Sequence, residues 1–507
     1  MTEIYINPEN EAFDKYFSSA DVVVNLAHPS PGKTSNIIRK AIEGLKPLII
    51  SEDEFFLDYS HIIRVPTDEH NEKPALKNAL LHLFQNSLVV KNIKEITENL
   101  GRNFTNWHHA TQAYTQIIDE FLSGSFEKKA NKNTKYVDLQ IIGDARGNTG
   151  IAQGCRMNIV SSQSVGLNIS YLEYVYDISN SRSVDFHTPF SKMSDAGKNL
   201  FNFNGDMLPA LHQSHPQLFE HNYNIGYWAY ELMKLPEWWL PSFNLLQEIW
   251  APSDYVKNII ERVSPIPVTT MPHPVVYEDV PEIPREIFNL PNDRFIFVFN
   301  FNSSSTSARK NPFGLITAFK KAFKNSKKSP LLVIKTFNAD RFPRFQTALH
   351  KACSPENIIL IEEDMPREKM MALIKNCDCF VSLHRAEGFG LGLAEAQVNG
   401  IPVIATGWSG NLDFMHPEHS YLVDYKLVPV SINHHKYQDE FPVIVNNYSP
   451  GSGDWAEPKI NHAVKLMRHV FNHPEEAKEK GTLAAIFMKE QHSYEAIGNQ
   501  IKDRLES

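Results

Sequence analysis

Residues 377–405 read CDCFVSLHRAEGFGLGLAEAQVNGIPVIA, and this stretch decides the fold. Two short apolar runs, CFVSL and PVIA, flank a loop that contains glycine and a segment with helical spacing. Short, continuously apolar runs separated by helices are typical of parallel strands that are buried on both faces. The stretch therefore predicts a strand, a loop, a helix and a second, parallel strand.

The same alternation of strand and helix runs along nearly the whole chain. Apolar runs such as YVDLQIIG (136–143), RFIFVFNFN (294–302) and PLLVIKTF (330–337) alternate with amphipathic segments such as NPFGLITAFKKAFKN (311–325). Because parallel strands need crossover helices, this order predicts an α/β protein with helices on both faces of its sheets.

The composition excludes several classes of function. The chain has 507 residues, with 50 basic and 59 acidic side chains and a formal net charge of −9. Nucleic-acid binders usually carry a basic excess, so we expect no nucleic-acid partner. The four cysteines form no disulfide framework, which fits a reducing cytoplasm. No secretory signal and no apolar run of about 18 residues is visible, so we expect a soluble, cytoplasmic protein, with peripheral contact to the inner face of a membrane left open.

Changes in composition divide the chain into domains. The polar run KKANKNTK (128–135) predicts a linker, and the proline-rich run PHPVVYEDVPEIPREIFNLP (272–291) predicts a hinge. The predicted parts are an N-terminal unit, two α/β domains and a helical tail, at residues 1–127, 136–280, 281–475 and 476–507.

Glu387 and Glu395 are the first candidate site residues. Gly388, Phe389 and Gly390 follow Glu387 directly. A glycine-rich turn after a buried strand leaves backbone N–H groups at the start of a helix free to hold a phosphate, at the edge where parallel sheets bind ligands. Glu387 would face this cleft, and Glu395 could reach a ribose. The spacing alone favours a plainer interpretation, in which both glutamates are solvated.

Several motifs carry a resemblance to a known family. EGFGLGLAEA (387–396), followed by PVIATGWSGN (402–411), resembles the E-x7-E signature of the retaining glycosyltransferases of family 4. FIFVFNFNSSSTSARKNPFGLITAFKKAF (295–323) resembles the first strand, phosphate loop and helix of that family's donor-binding domain. Residues 224–260 resemble the end of its acceptor-side domain. DWAEP (454–458) is similar to a motif of a bacterial branch that builds surface polysaccharides.

This resemblance covers about residues 136–507 and implies the GT-B fold, in which two Rossmann-like domains face a cleft. It implies that Glu387 contacts the hydroxyls of the donor sugar and that Glu395 contacts the ribose. Arg309 and Lys310 match the basic residues that neutralise the leaving diphosphate. Many family members carry an arginine directly after the first strand; here that loop is Asn-Phe-Asn and serines, so Arg309 would substitute for it. Cations at the start of a helix oppose its dipole, which independently favours a nearby anion.

The preceding domain supplies further candidates. Gly147 and Gly150 resemble the glycine loop that approaches the donor phosphates from across the cleft. Trp228 and Glu231 fall where a strand should end at the cleft, so both are candidates for acceptor contact, although core packing is at least as favoured for Trp228. His384 lies beside the sugar site and is a candidate for a polar contact; capping the strand is the plainer alternative.

We expect no metal and no cofactor. The resemblance implies metal-independent transfer, in which Lys and Arg take the role that a divalent cation has elsewhere. The expected co-substrate is a nucleotide-diphosphate sugar, with GDP-mannose favoured over a UDP-hexose, and the expected acceptor is an oligosaccharide or lipid-linked saccharide. Two alternatives stay open: a non-catalytic sugar-binding or scaffolding subunit of a polysaccharide assembly, and a sugar-nucleotide epimerase.

The N-terminal unit resembles part of a second glycosyltransferase. Residues 20–50 repeat the order of strand, loop, helix, proline and strand found in residues 377–405, which favours an internal duplication over chance. Aligned on its proline, this copy has Gly32 or Lys33 in place of Glu387 and Lys40 in place of Glu395. We therefore expect residues 1–127 to be a partial unit without transferase activity.

Overall fold

The computed structural model describes three short strands before residue 66 and residues 137–147, 149–174, 197–305, 307–324, 330–430 and 453–506. The chain divides into two compact units, Met1–Lys135 with Tyr174–Arg182, and Tyr136–Glu173 with Ser183–Ser507. In the first unit, strands β1 (Val23–Asn25), β2 (Leu48–Ser51) and β3 (Ile63–Val65) pair in parallel in that order. The predicted linker 128–135 and the residues Gly32, Lys33 and Lys40 lie outside the described residues.

The second unit contains two parallel six-stranded sheets, which confirms the predicted α/β class. The first sheet has the order β5-β4-β6-β7-β8-β9. Its strands are β4 Leu139–Gly143, β5 Ile169–Glu173, β6 Lys198–Phe201, β7 Tyr223–Tyr227, β8 Glu248–Ala251 and β9 Val268–Thr270. The α-helices described between them are α1 Gly150–Ser164, α2 Leu208–Ser214 and α3 Asp254–Glu261.

The second sheet has the order β12-β11-β10-β13-β14-β15. Its strands are β10 Ile296–Asn302, β11 Leu331–Phe337, β12 Ile358–Glu362, β13 Cys379–Ser382, β14 Val403–Thr406 and β15 Tyr421–Val423. The α-helices described here are α4 Ser307–Lys310, α5 Pro312–Phe323, α6 Pro343–Ala352, α7 Arg367–Lys375 and α8 Leu391–Val398. Short 3₁₀ helices of the second unit cover Pro216–Leu218, Glu237–Leu245, Arg285–Phe288, Ala339–Arg341 and Gly410–Asp413.

Aromatic packing explains why the second sheet forms where the apolar runs predict it. The side chains of Phe297 and Phe299 on β10 are almost fully buried, and so is that of Phe319 on α5. The ring of Phe297 lies 6.2 Å from that of Phe319, edge to face. Rings of this size bury large apolar areas, which stabilises the helix against the sheet.

Each sheet has a topological switch point, a pair of adjacent strands from which the chain continues outward on opposite sides. In the second sheet, β10 continues outward through β11 and β12, whereas β13 continues through β14 and β15 on the other side. In the first sheet, the switch point lies between β4 and β6. Loops that leave the carboxyl ends of such adjacent strands diverge and open a crevice, which is where open α/β sheets bind ligands.

A hairpin and three helices complete the chain. Strands β16 (Tyr425–Pro429) and β17 (Asp454–Pro458) pair in antiparallel fashion. The helices that follow are α9 Ile460–Asn472, α10 Pro474–Gln491 and α11 Tyr494–Glu506. Helix α11 packs on α1 of the first sheet domain, with Ile497 and Ile501 in the core of that domain. No helix among the described residues is long and apolar enough to span a membrane.

We expect Gly498→Ala to weaken the docking of α11. A Cβ atom at Gly498 would lie 2.2 Å from the backbone oxygen of Ser161, so one helix must move. Overpacking of this kind costs about 1–3 kcal/mol, measured as the free energy of unfolding in urea. The control is Asn499→Ala, because Asn499 is exposed on the same helix and alanine favours a helix. Equal stability of the two variants would contradict this close packing.

Candidate active site

The topological switch point of the second sheet brings two cations and a carboxylate together. Arg309 and Lys310 end the short helix α4, after β10, and Glu387 lies in the loop after β13. Lys310 Nζ lies 2.7 Å from Glu387 Oε1, and Arg309 Nη1 lies 3.0 Å from Glu387 Oε2. In the structure, the carboxylate of Glu387 therefore neutralises part of the charge of both cations.

Electrostatics keep this carboxylate ionised. Burial by itself would raise the pKa of Glu387, but Lys310 and Arg309 outweigh it and lower the pKa to about 2. Burial lowers the pKa of Lys310, an effect that Glu387 opposes. Removing charges from water is costly unless they are paired, so each partner accounts for the burial of the other.

Glu231, from the first sheet domain, joins the same cluster. It follows β7, and its Oε1 lies 3.3 Å from Arg309 Nη2. The hydroxyl of Tyr255 donates to the backbone oxygen of Glu231 at 3.0 Å, which holds the end of this loop. Arg309 thus contacts carboxylates from both domains and lies where the two sheet domains meet.

The loop after β14 clamps the backbone around Glu387. Ser409 Oγ accepts a hydrogen bond from the backbone N–H of Glu387 at 2.8 Å. The backbone N–H of Gly410 donates to the backbone oxygen of Glu387 at 3.0 Å. Ser409 adopts φ 82° and ψ −158°, a region that residues other than glycine rarely occupy. A Cβ atom at Gly410 would lie 2.1 Å from the oxygen of Gly388, so only glycine permits this contact.

His384 holds that loop from beneath and is fully buried. Its Nδ1 lies 3.1 Å from Ser382 Oγ, and its Nε2 lies 3.1 Å from Asn411 Oδ1 and 3.3 Å from the oxygen of Trp408. Burial is the main cause that lowers the pKa of His384, which favours the neutral ring near neutral pH. The structure thus places His384 in the support of the site.

Glu395 lies in a second charged cluster, apart from Glu387. Its Oε1 pairs with Arg367 Nη1 at 2.7 Å and accepts from Gln153 Nε2 of the first domain at 3.1 Å. Arg367 also pairs with Glu278, with 2.6 Å between Nε and Oε1. Burial would lower the pKa of Arg367, but the two glutamates outweigh it and raise that pKa above its ordinary value.

The candidate glycines lie around the same crevice. Gly147 lies between β4 and α1, Gly150 is the first residue of α1, and a Cβ atom at Gly150 would lie 3.9 Å from the side chain of Leu391 of the second domain. The oxygen of Gly388 accepts a hydrogen bond from Ser253 Oγ of the first domain at 2.6 Å. Gly390 caps the start of α8 with φ 102°, a conformation that suits glycine.

Two predicted site residues have their side chains in the core. Trp228 is fully buried, with its ring 5.7 Å from that of Trp239. The ring of Phe389 lies 4.9 Å from that of Phe414 and 5.2 Å from that of His273. Core packing, the plainer alternative for Trp228, agrees with this placement, and the side chain of Phe389 is likewise buried in the core of the second domain.

Sequence reasoning missed several residues of the site. Arg367 begins α7 and opposes the helix dipole, so the argument used for Arg309 would also have found it. Ser409 carries no comparable signal, because its backbone conformation cannot be read from the sequence. Ser253 and Gln153 contribute through contacts between the domains, which local patterns do not reveal.

Comparisons with known proteins agree with this architecture. Residues 282–428 match the family model described as glycosyl transferases group 1, which covers the strands and loops that carry Arg309, Lys310, Glu387 and Glu395. No curated protein sequence matches the chain significantly.

Several solved structures share the fold at low sequence identity. The sucrose-phosphate synthase of Thermosynechococcus elongatus is 13% identical, with a TM-score of 0.54 over 73% of this chain and 98% of its own. The Anabaena protein HepE, in complex with UDP and glucose, is 12% identical, with a TM-score of 0.52 over 73% and 100%. A glycosyltransferase from Rickettsia africae is 12% identical, with a TM-score of 0.51 over 74% and 98%. These likenesses show the GT-B fold, and residues 282–428 of the second sheet domain are similar to glycosyl transferases group 1.

The strain at Ser409 predicts an order of stability for two variants. Ser409→Ala removes the acceptor for the Glu387 N–H and retains the unfavourable backbone conformation, so we expect a loss of about 1–3 kcal/mol. Ser409→Gly removes the same acceptor but relieves strain of about 1–3 kcal/mol. The glycine variant should therefore unfold at a higher urea concentration than the alanine variant. The reverse order would show that the conformation of Ser409 is unstrained.

The ion pairs of Glu387 predict a pH dependence of stability. Because the pKa is about 2 in the folded protein and 4.5 ordinarily, the stabilisation is fully present above about pH 5 and is lost as the pH falls towards about 2. We compare the free energies of unfolding of the wild type and Glu387→Gln. The advantage of the wild type should be largest at neutral pH and should shrink below about pH 4.5. A difference that does not change with pH would contradict the ion pairs.

Proposed function

We propose that this protein is a retaining glycosyltransferase that moves a hexose from a nucleotide-diphosphate sugar to a saccharide acceptor. The observation that carries the proposal is the cluster of Arg309, Lys310 and Glu387 at the topological switch point of the second sheet. The match to glycosyl transferases group 1 covers this cluster and supports the assignment.

The cluster has the charges that such a reaction requires. When the bond between the sugar C1 and the phosphate oxygen breaks, negative charge grows on the leaving diphosphate. Arg309 and Lys310 stabilise that charge, and because they are already fixed in place, little reorganisation is needed during the reaction. The acceptor hydroxyl attacks C1 from the same face, and its proton passes to the leaving phosphate oxygen.

The carboxylates have separate roles in this mechanism. Glu387 orients the two cations and contacts the hydroxyls of the donor sugar, whereas Glu395 contacts the ribose. Glu231 lies on the acceptor side, where the first domain meets Arg309. Contacts between the domains, such as Ser253 Oγ to the oxygen of Gly388, exclude water and thereby limit hydrolysis of the donor.

GDP-mannose is the donor that we propose first, because the DWAEP motif resembles a branch of polysaccharide-building enzymes that often uses it; a UDP-hexose is the second candidate. We propose a lipid-linked or free oligosaccharide of a surface polysaccharide as the acceptor, which places the enzyme in the cytoplasm at the inner face of the membrane. Transfer needs no metal in this proposal, since the two cations meet the diphosphate directly.

Substitutions of Glu387 and Lys310 should have different effects. Lys310→Ala should weaken nucleoside-diphosphate binding and lower the transfer rate by about 100-fold or more, because the leaving group loses a cation. Glu387→Ala should lower the rate similarly but retain nucleotide binding, since the two cations remain. Binding is measured by thermal shift with GDP, UDP, dTDP and CMP, and turnover is measured by release of the nucleoside diphosphate.

Lys320→Ala serves as the control, because Lys320 is exposed on α5 and its loss also removes one positive charge. Transfer at the wild-type rate in both site variants would remove these residues from the mechanism. A free epimerised sugar nucleotide formed without an acceptor would identify an epimerase instead.

A further inference from the structure

The arginine next to the site, Arg385, connects the hairpin of β16 and β17 to the two cations. Its backbone N–H donates to the oxygen of Arg309 at 2.8 Å, and its Nη1 donates to the oxygen of Ala308. Arg385 therefore contacts two consecutive carbonyl groups of the segment that carries Arg309 and Lys310. It also lies two residues before Glu387, so it links both sides of the charged cluster.

Strand β17 fixes Arg385 in turn. Its Nε lies 2.7 Å from Glu457 Oε2 and its Nη2 lies 3.2 Å from Glu457 Oε1, a two-point contact that only a planar guanidinium can form. The guanidinium lies 5.4 Å from the centre of the Trp455 ring. The Ala456 N–H donates to the oxygen of Arg385 at 2.9 Å, so both the side chain and the backbone of Arg385 are held.

Helix α4 needs this support because it has four residues, Ser307–Lys310, and a single turn is not stable by itself. The guanidinium of Arg385 binds the oxygen of Ala308 and has the charge that the carboxyl end of a helix favours, and the backbone N–H of Arg385 binds the oxygen of Arg309. The directions of the Arg309 and Lys310 side chains thus depend on a residue that holds the backbone of their helix.

We propose that Arg385, held by Glu457 of β17, is a positioning residue that sets Arg309 and Lys310 for the diphosphate. This inference rests on the proposed function for its catalytic consequence. It also gives the DWAEP motif a role, because Trp455, Ala456 and Glu457 of this motif all contact Arg385. A purely structural role is the alternative, in which Arg385 only attaches the hairpin to the domain.

The test uses the full chain with Arg385→Lys and Glu457→Gln. Arg385→Lys keeps the charge and loses the two-point contact, so Arg309 and Lys310 should shift. A small displacement of catalytic groups can cost about 100-fold in rate, so we expect a fall of that order in kcat and a smaller change in KM for the sugar nucleotide. Glu457→Gln should act in the same direction. The double variant should have the same kcat as Arg385→Lys alone, because both substitutions break the same contact between residues 385 and 457.

Binding of inorganic pyrophosphate, measured by calorimetry, provides a readout that needs no turnover. We expect Arg385→Lys to weaken it by about tenfold or more, equivalent to about 1.4 kcal/mol of binding free energy. The matched control is Arg285→Lys, because Arg285 lies at the amino end of β13, whereas Arg385 follows its carboxyl end. Arg285 also donates to backbone oxygens, those of Asn376 and Arg294, and pairs with Asp378 at 3.2 Å with similar burial.

The control variant should be less stable but should keep the wild-type pyrophosphate affinity and kcat. Wild-type kcat and pyrophosphate affinity in Arg385→Lys would overturn the positioning role, as would equal losses in Arg285→Lys. A wild type that binds pyrophosphate, with weaker binding in Arg385→Lys, but transfers no sugar would support the positioning role and refute only the proposed function. A wild type that does not bind pyrophosphate would refute both.

Discussion

The ion pairs of Glu387 with Arg309 and Lys310 are the interaction on which the rest of the site depends. The two cations lie at the end of a single helical turn, and Arg309 is only 4% exposed. Buried charges of one sign are unstable unless a carboxylate compensates them. The surrounding contacts serve this pairing: Ser409 and Gly410 hold the backbone of Glu387, and Arg385 holds the carbonyl groups beside the cations.

The same loops form the site and join the two sheet domains. Ser253 Oγ binds the oxygen of Gly388, and Glu231 pairs with Arg309. Gln153 of the first domain likewise binds Glu395 of the second. A movement of one domain relative to the other must therefore break contacts of Arg309 and Glu395. Closure of the cleft and formation of these contacts therefore occur together.

Much of this arrangement could be predicted from local patterns. Mostly apolar runs such as IFVFNFN predicted the buried strands, because parallel strands that are covered on both faces are apolar along nearly their whole length. The helix dipole predicted an anion near Arg309 and Lys310, and the expected anion was the diphosphate of the donor; the pairing with Glu387 was not predicted. Phe389 and the supporting role of His384 could not be predicted, because the direction in which a loop side chain points depends on what packs beneath it.

The sequence by itself determined which segments form strands and helices, where the glycine turns lie and which loops carry charge, since these follow from local propensity and the spacing of apolar residues. Only the tertiary structure decided which charges meet. Lys310 and Glu387 are 77 residues apart, and Arg385 and Glu457 are 72 apart. Their contacts exist because β10 pairs with β13 in the sheet and because the hairpin binds the loop after β13 through Ala456 and Arg385. Strand order is set by the packing of the whole domain, so no local pattern of residues could specify these pairs.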